Sequence, residues 1–242
     1  MAVALGKFDA LHRGHRALAL AASEAGAPVV LSFSGMAEVL GWAPRLPVVA
    51  PSDRARVLAL WSASAPTSPP LVPATLPFSS IRQLSPAAFV ALLKSLGAAT
   101  VVAGRNYRFG FRASGDASAL ATLCGEHAMR VSIVEMVCHD GKEVSSSSIR
   151  ASLAEGDVRT VALLLGRPHR LVLQRGGGGG ASHAWVPLNQ PPKEGKYDAE
   201  LVGGQSGQTE RIRVTVTPSG ELLLPEAALA SRNGSQQVEI EF

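Results

Sequence analysis

Two histidines three residues apart lie near the N-terminus, in the segment Gly6–His15 with the sequence GKFDALHRGH. The segment follows a strand-like apolar run and precedes an alanine- and leucine-rich helical stretch. Where a strand passes through a tight turn into a helix, backbone N–H groups and the helix dipole attract phosphate. His12 and His15 would lie on one side of the first helical turn, where both can stabilise charge on a transferring phosphoryl group. The segment therefore predicts nucleotide chemistry.

The glycines of this segment favour the same interpretation. Gly6 would let the backbone approach a ligand closely, and Gly14 would let helix and nucleotide pack together. The alternatives are that each histidine is an ordinary surface or core residue, or that the pair binds a metal. No third ligand is near in the sequence, so no metal site is predicted.

A second candidate segment, Val144–Arg150 (VSSSSIR), is expected at the start of a helix. Serine hydroxyls at a helix N-terminus, followed one turn later by an arginine, would form a second anion site. The alternative is a plain loop or helix cap, because serine is common in both. Together, the first two segments would bracket a triphosphate at the carboxyl edge of a parallel sheet.

A third segment, Ala103–Gly110 (AGRNYRFG), follows another predicted strand. Asn106 is a candidate for contact with a ribityl or phosphate oxygen, or with a metal-bound water. The alternative is a structural turn with Phe109 in the core.

The elements that would position these segments alternate between strand and helix in the first two-thirds of the chain. Buried parallel strands are predicted at Val3–Leu5, Pro28–Phe33, Thr100–Ala103 and Arg130–Val134. Helices are predicted at His15–Ala25, from Ser52 as cap to Ser62, at Pro86–Leu96 after the cap Ser85, and from Asp116 onward. Such alternation predicts a Rossmann-like α/β domain whose parallel sheet is covered on both faces.

Two of these helices have clear apolar faces. In Pro86–Leu96 the face comprises Phe89, Leu92, Leu93 and Leu96, and Gly97 ends the helix. In the helix after Asp116, Leu120 and Leu123 would face inward. Two short helices follow, at about Ser147–Ala154 and from Asp157 as cap to Leu165.

The pattern changes near residue 168, where we expect a boundary between a domain of residues 1–168 and a small antiparallel β-domain of residues 169–242. The glycine run Gly176–Gly180 is predicted to be a flexible loop, since no helical pattern follows it. Strands are predicted at Lys196–Val202, Arg211–Thr217, Glu221–Leu224 and Gln236–Phe242.

The composition fits a globular protein of 242 residues, with 46% apolar and 17% charged residues. A net charge of +4 suits anionic small substrates, but there is no dense basic block that would favour nucleic acid. The two cysteines favour neither a disulfide framework nor a zinc site, and a reducing compartment is expected. No apolar run of membrane-spanning length and no leader sequence is expected.

The three segments resemble the motifs of a known family. Gly6–His15 is similar to the G-x-F-D-x-x-H-x-G-H signature of the nucleotidylyltransferase superfamily, in the form found in flavin adenylyltransferases. Gly104–Gly110 resembles their G-x-[DN]-[FY]-R-F-G segment, and Ser145–Arg150 their S-S-[ST]-x-[IV]-R. The order and separation agree over about residues 2–170. Further stretches resemble the plastid FAD synthetases of plants and green algae: Ser32–Leu40, Gly41–Val49 and Gly115–Leu120.

The resemblance implies that AMP is transferred from Mg-ATP to FMN, giving FAD and pyrophosphate. It implies catalytic roles for His12, His15, Ser147 and Arg150. The implied ATP contacts are Gly6, Phe8, Asp9, His12, Gly14, His15, Ser146, Ser147 and Arg150. On the FMN side it implies Asn106 and Arg108, and also Asp116, which a helix cap explains equally well. Nucleic acid and membrane are not expected partners, and the oligomeric state is not predicted.

Departures from the family pattern lie mainly in the tail. Bacterial bifunctional relatives continue into a riboflavin kinase domain, but the tail has no G-x-P-T-A-N phosphate segment. The tail resembles the reduced β-domain of the plant enzymes, so no kinase activity is expected. Ala10 replaces a common glycine, Asn106 stands where Asp is frequent, and Glu143 where many bacterial relatives have Arg. The plastid location is implied by the resemblance alone.

Two other functions stay open at this point. One is a different adenylyltransferase of the superfamily, acting on pantetheine phosphate or a nicotinamide nucleotide; the segment Gly104–Gly110 argues against it. The other is a catalytically silent nucleotide-binding protein. Retention of both histidines and of Arg150 disfavours that reading.

Overall fold

The computed structural model describes residues 1–65, 69–176, 184–203, 209–230 and 236–242. The predicted loop at the glycine run lies, from residue 177 onward, outside the described residues. The chain forms two compact units, one of Met1–Pro44 with Ala55–Glu143 and one of Arg45–Arg54 with Val144–Phe242.

The first unit contains a parallel sheet with the strand order β3-β2-β1-β4-β5. Its strands are β1 (Ala2–Leu5), β2 (Pro28–Ser34), β3 (Val72–Pro77), β4 (Thr100–Gly104) and β5 (Arg130–Val134). The central strand β1 pairs with β2 through Leu5 and Leu31, and with β4 through Ala4 and Val102. A short hairpin of β6 (Cys138–His139) and β7 (Lys142–Glu143) follows.

Two strands depart from the sequence prediction because they lie at the sheet edges. β3 was not predicted: it carries Pro73 and Pro77 and is largely exposed, which suits an edge strand but hides the usual strand pattern. β5 was predicted as buried, yet none of its five residues is fully buried. An edge strand has a neighbour on one side only, so its apolar residues are less covered.

The described residues of this unit form, wholly or mainly, the helices α1 (Arg13–Ala25), α2 (Met36–Leu40), α3 (Arg54–Ala63), α4 (Phe78–Ile81), α5 (Pro86–Ser95) and α6 (Ala117–Glu126). Ser85 and Asp116 cap α5 and α6 as predicted, each accepting a backbone N–H three residues on. Ser52 is not a cap, because a 3-10 turn at Pro51–Asp53 leads directly into α3. That turn supplies local backbone bonds in place of a side-chain cap.

One core cluster of this unit is formed by a face of the sheet together with α5 and α6. Phe89 and Leu93 of α5 are buried in it as predicted, and Leu120 of α6 is fully buried. The face of α5 is rotated from the prediction: Val90 is buried, whereas Leu96 is 46% exposed just beyond the helix end. Leu96 ends the helix rather than continuing it, so its side chain leaves the helical face.

The second unit begins with two helices, α7 (Ser146–Glu155) and α8 (Val158–Leu165), which were predicted. A closed antiparallel barrel follows, with the order β10-β11-β12-β9-β8-β13. Its elements are β8 (Arg170–Arg175), β9 (Ala184–Pro187), β10 (Gly195–Val202), β11 (Glu210–Val216), β12 (Leu222–Leu223), α9 (Glu226–Ala230) and β13 (Gln237–Glu241). β8 and β9 were missed, since they flank the glycine run. The fold class is confirmed: a parallel-sheet α/β unit and a separate antiparallel barrel.

Helix gives way to strand between Leu165 and Arg170, next to the boundary expected at residue 168. The compact second unit nevertheless starts at Val144, so it contains both helices. The assignment of residues 1–168 and 169–242 as functional domains stays a prediction.

The segment Arg45–Arg54 belongs to the second unit because hydrogen bonds join it to the barrel. The fully buried Asn189 donates to Val48 O and Arg170 O, both at 2.9 Å, and accepts the N–H of Val172 at 3.0 Å. One amide thereby satisfies three backbone groups, two of them in β8 and one 141 residues away from Asn189 in the sequence.

An ion-pair cluster joins the same parts of the second unit. Arg170 lies 2.6 Å from Glu239 and 2.7 Å from Glu241 on the neighbouring strand, and 3.9 Å from Asp53. Arg170 and Asp53 are almost completely buried, so removal of one partner would leave buried charge uncompensated.

Candidate active site

The histidine pair lies where β1 passes into α1. His12 is the N-cap of α1, and its Nδ1 accepts the backbone N–H of His15 at 3.3 Å. The two rings are stacked with their centroids 3.7 Å apart, and both side chains are buried. The prediction that the two histidines are adjacent at the helix N-terminus is confirmed.

The capping bond fixes the tautomer of neutral His12. Since Nδ1 accepts a backbone proton, the ring proton must be on Nε2, which is therefore a donor. A capping Asp would offer no such donor group, because an ionised carboxylate only accepts hydrogen bonds. The arrangement gives one side chain two functions: it caps the N-terminus of α1, and it carries an N–H donor of the kind that binds phosphate oxygens.

The turn before the helix is held in an unfavourable backbone conformation. Phe8 and Leu11 have φ values of 47° and 48°, although neither is glycine, and both side chains are fully buried. Left-handed backbone at bulky residues costs free energy, and it persists where the surrounding packing determines it. Buried side chains on this turn thus fix the path of the backbone into α1.

The remaining residues of the first motif have mixed placements. Phe8, predicted to shape the nucleotide pocket, packs its ring 4.9 Å from that of His15. A Cβ at Gly6 would lie 3.1 Å from the Phe8 ring, so Gly6 has a packing reason besides the predicted approach to a ligand. Asp9 and Gly14 are half-buried.

The serine motif forms the N-terminus of α7 in the second unit. Ser145 is the N-cap and makes a reciprocal capping box with Ser148: each side-chain oxygen accepts the other residue's backbone N–H, at 3.1 and 3.0 Å. The outer two serines of the run therefore provide the cap. Capping does not require the hydroxyls of Ser146, which is half-buried, and Ser147, which is exposed.

Arg150 lies one turn into α7 and is half-buried. Its guanidinium donates to Leu46 O at 3.0 Å and to the side-chain oxygen of Gln190. These acceptors are 104 and 40 residues away in the sequence. The predicted anion-binding arginine is thus held by neutral oxygens from the 45–54 segment and from the connection between β9 and β10.

The polar side chains Asn106 and Arg108 of the third motif are exposed and are bonded to residues outside the motif. Asn106 Nδ2 donates to Glu143 Oε1 at 3.1 Å. Phe109 is buried in the core, as the structural alternative for this segment required. Both predictions for this segment can hold together, because the turn packs Phe109 inward while Asn106 stays at the surface.

Arg108 and Asp116, both predicted on the FMN side, lie together in the first unit. Arg108 Nη1 is 3.9 Å from Asp116 Oδ2, and its Nε donates to Ala113 O at 3.1 Å. The other oxygen of Asp116 caps α6. Gly115 packs against Phe109 so tightly that a Cβ would lie 2.7 Å from the ring, which fixes the loop between them.

Sequence reasoning missed two polar partners of the predicted site. Gln190 lies within a polar, proline-containing stretch that carries no motif, and Glu143 was noted only as a departure from bacterial relatives. Gln190 is 40 residues from Arg150 in the sequence, and Glu143 is 37 residues from Asn106, so no local pattern pairs them. Among the described residues, no group of three or more His, Cys, Asp and Glu side chains is placed to hold a metal ion.

The chain is similar in sequence to known proteins of the family that these motifs resemble. Residues 70–148 match the FAD synthetase family. Over 99% of its length the chain is 42% identical to FAD synthetase 2, chloroplastic, of Arabidopsis thaliana, and it covers 72% of that protein. The chain belongs to the FAD synthetase family. It is also 45% identical, over 81% of its length, to FAD synthetase 1, chloroplastic, of the same plant, and covers 62% of that relative.

More distant similarities extend this result. The chain is 32% identical over 69% of its length to the bifunctional riboflavin kinase/FMN adenylyltransferase of Pseudomonas fluorescens, and covers 54% of it. The fold resembles a crystal structure titled as a macrolide-efflux protein from Streptococcus pneumoniae, with a TM-score of 0.78 and 24% identity, covering 100% of this chain and 83% of the other. At that identity the likeness shows the fold alone. In the part of the chain that the structure describes, no helix has the length and apolarity needed to span a membrane.

Proposed function

We propose that this chain is an FMN adenylyltransferase, which transfers AMP from ATP to FMN and releases pyrophosphate. The observation that carries the proposal is the 42% identity to a chloroplastic FAD synthetase over 99% of the chain. The stacked histidine pair at a helix N-terminus supports it, because that arrangement suits a polyphosphate.

In the proposed reaction, a phosphate oxygen of FMN attacks the α-phosphorus of ATP. A new P–O bond forms there while the bond to the β-phosphate oxygen breaks, and pyrophosphate leaves with the electron pair. No covalent enzyme intermediate is required, so catalysis rests on positioning and on stabilisation of charge. His12 and His15 would stabilise the negative charge that develops on the transferring and leaving groups.

From its motif we propose that Ser146, Ser147 and Arg150 bind the β- and γ-phosphates. The N-terminus of α7 supplies backbone N–H groups and a positive dipole end, and the arginine supplies a full charge. Because Ser145 and Ser148 form the cap, a phosphate that binds Ser146 and Ser147 need not compete with helix capping.

On the acceptor side we propose Asn106 and Arg108 as FMN contacts, with Asp116 as a secondary candidate. Gly6, Phe8, Asp9 and Gly14 would shape the nucleotide site. Mg²⁺ would arrive as part of Mg-ATP, held mainly by phosphate oxygens and water, as is common for this ion.

We further propose that the chain has no riboflavin kinase activity and works in a plastid. The missing phosphate segment in the tail supports the first point. The chloroplastic relatives of Arabidopsis thaliana support the second.

The test is incubation of purified protein with ATP and Mg²⁺, with FMN and riboflavin in separate reactions, followed by chromatography of the flavins. FAD from FMN and no product from riboflavin is the expected result. FMN formed from riboflavin would show that the tail is a kinase. The absence of FAD would overturn the proposed transferase activity, and pantetheine phosphate and nicotinamide mononucleotide would then be tested as acceptors.

A further inference from the structure

Gln190 is held in place by its own backbone. Its N–H donates to Pro47 O at 2.8 Å, and its carbonyl oxygen lies 2.8 Å from Nε2 of the buried His169. Burial lowers the pKa of His169 to about 4, so near pH 7 the ring is neutral and Nε2 can donate to this carbonyl. With both backbone groups bonded, the Gln190 side chain starts from a fixed position.

The neighbouring residue makes this part of the chain still more rigid. Asn189 is fully buried and bonded to three backbone groups, from the 45–54 segment and from β8. A side chain supported in this way loses little conformational entropy when it binds a partner. That partner is the guanidinium of Arg150.

We infer that Gln190 is a positioning residue for Arg150, and that the β-domain contributes to adenylyl transfer by carrying it. The inference rests on the proposed function, in which Arg150 binds the phosphates of ATP. Gln190 and Leu46 O both accept from Nη1 of Arg150, so one end of the planar guanidinium is held from two directions.

The chemistry of the acceptor matters as much as its position. An amide oxygen accepts the guanidinium N–H without adding a negative charge beside a group that must attract phosphate. A carboxylate at position 190 would also accept the bond, but it would compete with ATP for the arginine. Glutamine is therefore the side chain that positions the arginine and leaves its charge available.

The experiment compares Gln190→Ala and Gln190→Glu with the unmodified full chain in steady-state FAD synthesis. We expect Gln190→Ala to raise KM for ATP about tenfold, as for loss of a bond to a charged group, with KM for FMN unchanged within about twofold. Gln190→Glu keeps the size and the acceptor, and should raise KM for ATP at least as much. Gln174→Ala, an exposed glutamine of β8, is the matched control and should behave as the unmodified chain.

A second measurement separates positioning from a purely structural role. If Gln190 acts through Arg150, Gln190→Ala should change nothing further in an Arg150→Ala background. Circular dichroism and thermal unfolding establish whether each variant is folded. If Gln190→Ala is not folded, the KM for ATP of Gln190→Glu alone tests the inference.

The outcomes distinguish failure of the inference about Gln190 from failure of the proposed function on which it rests. If the unmodified chain makes no FAD, both the proposed function and the inference are overturned. If it makes FAD but Gln190→Ala keeps its KM for ATP, or Gln190→Glu behaves as the unmodified chain, only the inference fails. An additive loss in the Arg150→Ala background would also overturn it.

Discussion

The histidine turn and the serine–arginine helix are both candidate phosphate sites, but they are built in opposite ways. The contacts between the two histidines are local: His12 caps the helix by accepting from His15, and the rings stack on each other. Arg150 is held by acceptors 104 and 40 residues away. A site made from local contacts can be recognised from residue spacing alone. For a site made from distant contacts, the sequence motif reveals the binding residue but not the residues that hold it.

The largest expected effect is at the local site. His15→Ala should lower turnover by about 10²–10³, the usual loss for one preorganised charge-stabilising donor. His12→Asn should fall as far, although asparagine is a good N-cap and should keep α1 intact. Rapid-quench or steady-state FAD synthesis provides the rate, and thermal unfolding checks the fold. Near-normal turnover in both variants would contradict the phosphate-site assignment.

The next effect concerns the stability of the second unit, in which Gln190 and the buried His169 support Arg150. Burial lowers the pKa of His169 to about 4, against a value of 6.5 for a free side chain. The hydrogen bond that His169 donates to Gln190 O and the charge of Asp53 oppose this shift, and the charge of Arg167 adds to it. Between pH 4 and pH 6.5 His169 is protonated in the unfolded chain but neutral in the folded chain, so the unfolded chain binds more protons. The free energy of unfolding should therefore fall by about 3 kcal/mol as the pH drops from 6.5 to 4.

Urea unfolding at a series of pH values measures this dependence. His169→Asn keeps an N–H donor but does not titrate, so it should remove that part of the slope, whatever other groups contribute. Equal slopes in the two proteins would show that the folded ring does titrate normally.

A smaller effect is expected from a change of Arg150 that keeps the charge. Lysine is a point charge and cannot present a planar fork to Leu46 O, Gln190 and a phosphate together. Arg150→Lys should therefore lower kcat/KM for ATP about 10- to 100-fold while the protein stays folded. Arg159→Lys, at an exposed arginine on α8, is the control. Full activity of Arg150→Lys would mean that only the charge matters, and the contrast between the two sites would weaken.

The smallest effect is expected at the exposed third motif. Asn106→Ala should raise KM for FMN about three- to tenfold and leave KM for ATP unchanged, as for one exposed hydrogen bond. Glu143→Ala removes the partner of Asn106 but keeps its amide, so it should change KM for FMN by no more than about twofold. If Glu143→Ala raised KM for FMN more than Asn106→Ala, the FMN contact would be assigned to the Glu143 carboxylate instead of the Asn106 amide.

The sequence predicted most of the helices and strands up to residue 165 because their signals are local. Ser85, Asp116 and Asp157 each cap a helix as predicted, since a cap and its N–H are three residues apart. The failures lie at the margins: β3 and β5 at sheet edges, and Ser52, where a 3-10 turn replaced the cap. The burial of an edge strand and the path into a helix depend on neighbours that the local pattern does not contain.

By itself the sequence determined the parallel-sheet unit, the antiparallel tail, the three motifs and the resemblance to FAD synthetases. Only the tertiary structure decided that the 45–54 segment and α7 belong with the barrel, and that Gln190 meets Arg150. The physical reason is the range of the interactions. Caps, turns and periodic apolar faces act over three or four residues, whereas the buried bonds of Asn189 and Gln190 join groups that come together only when the chain is folded.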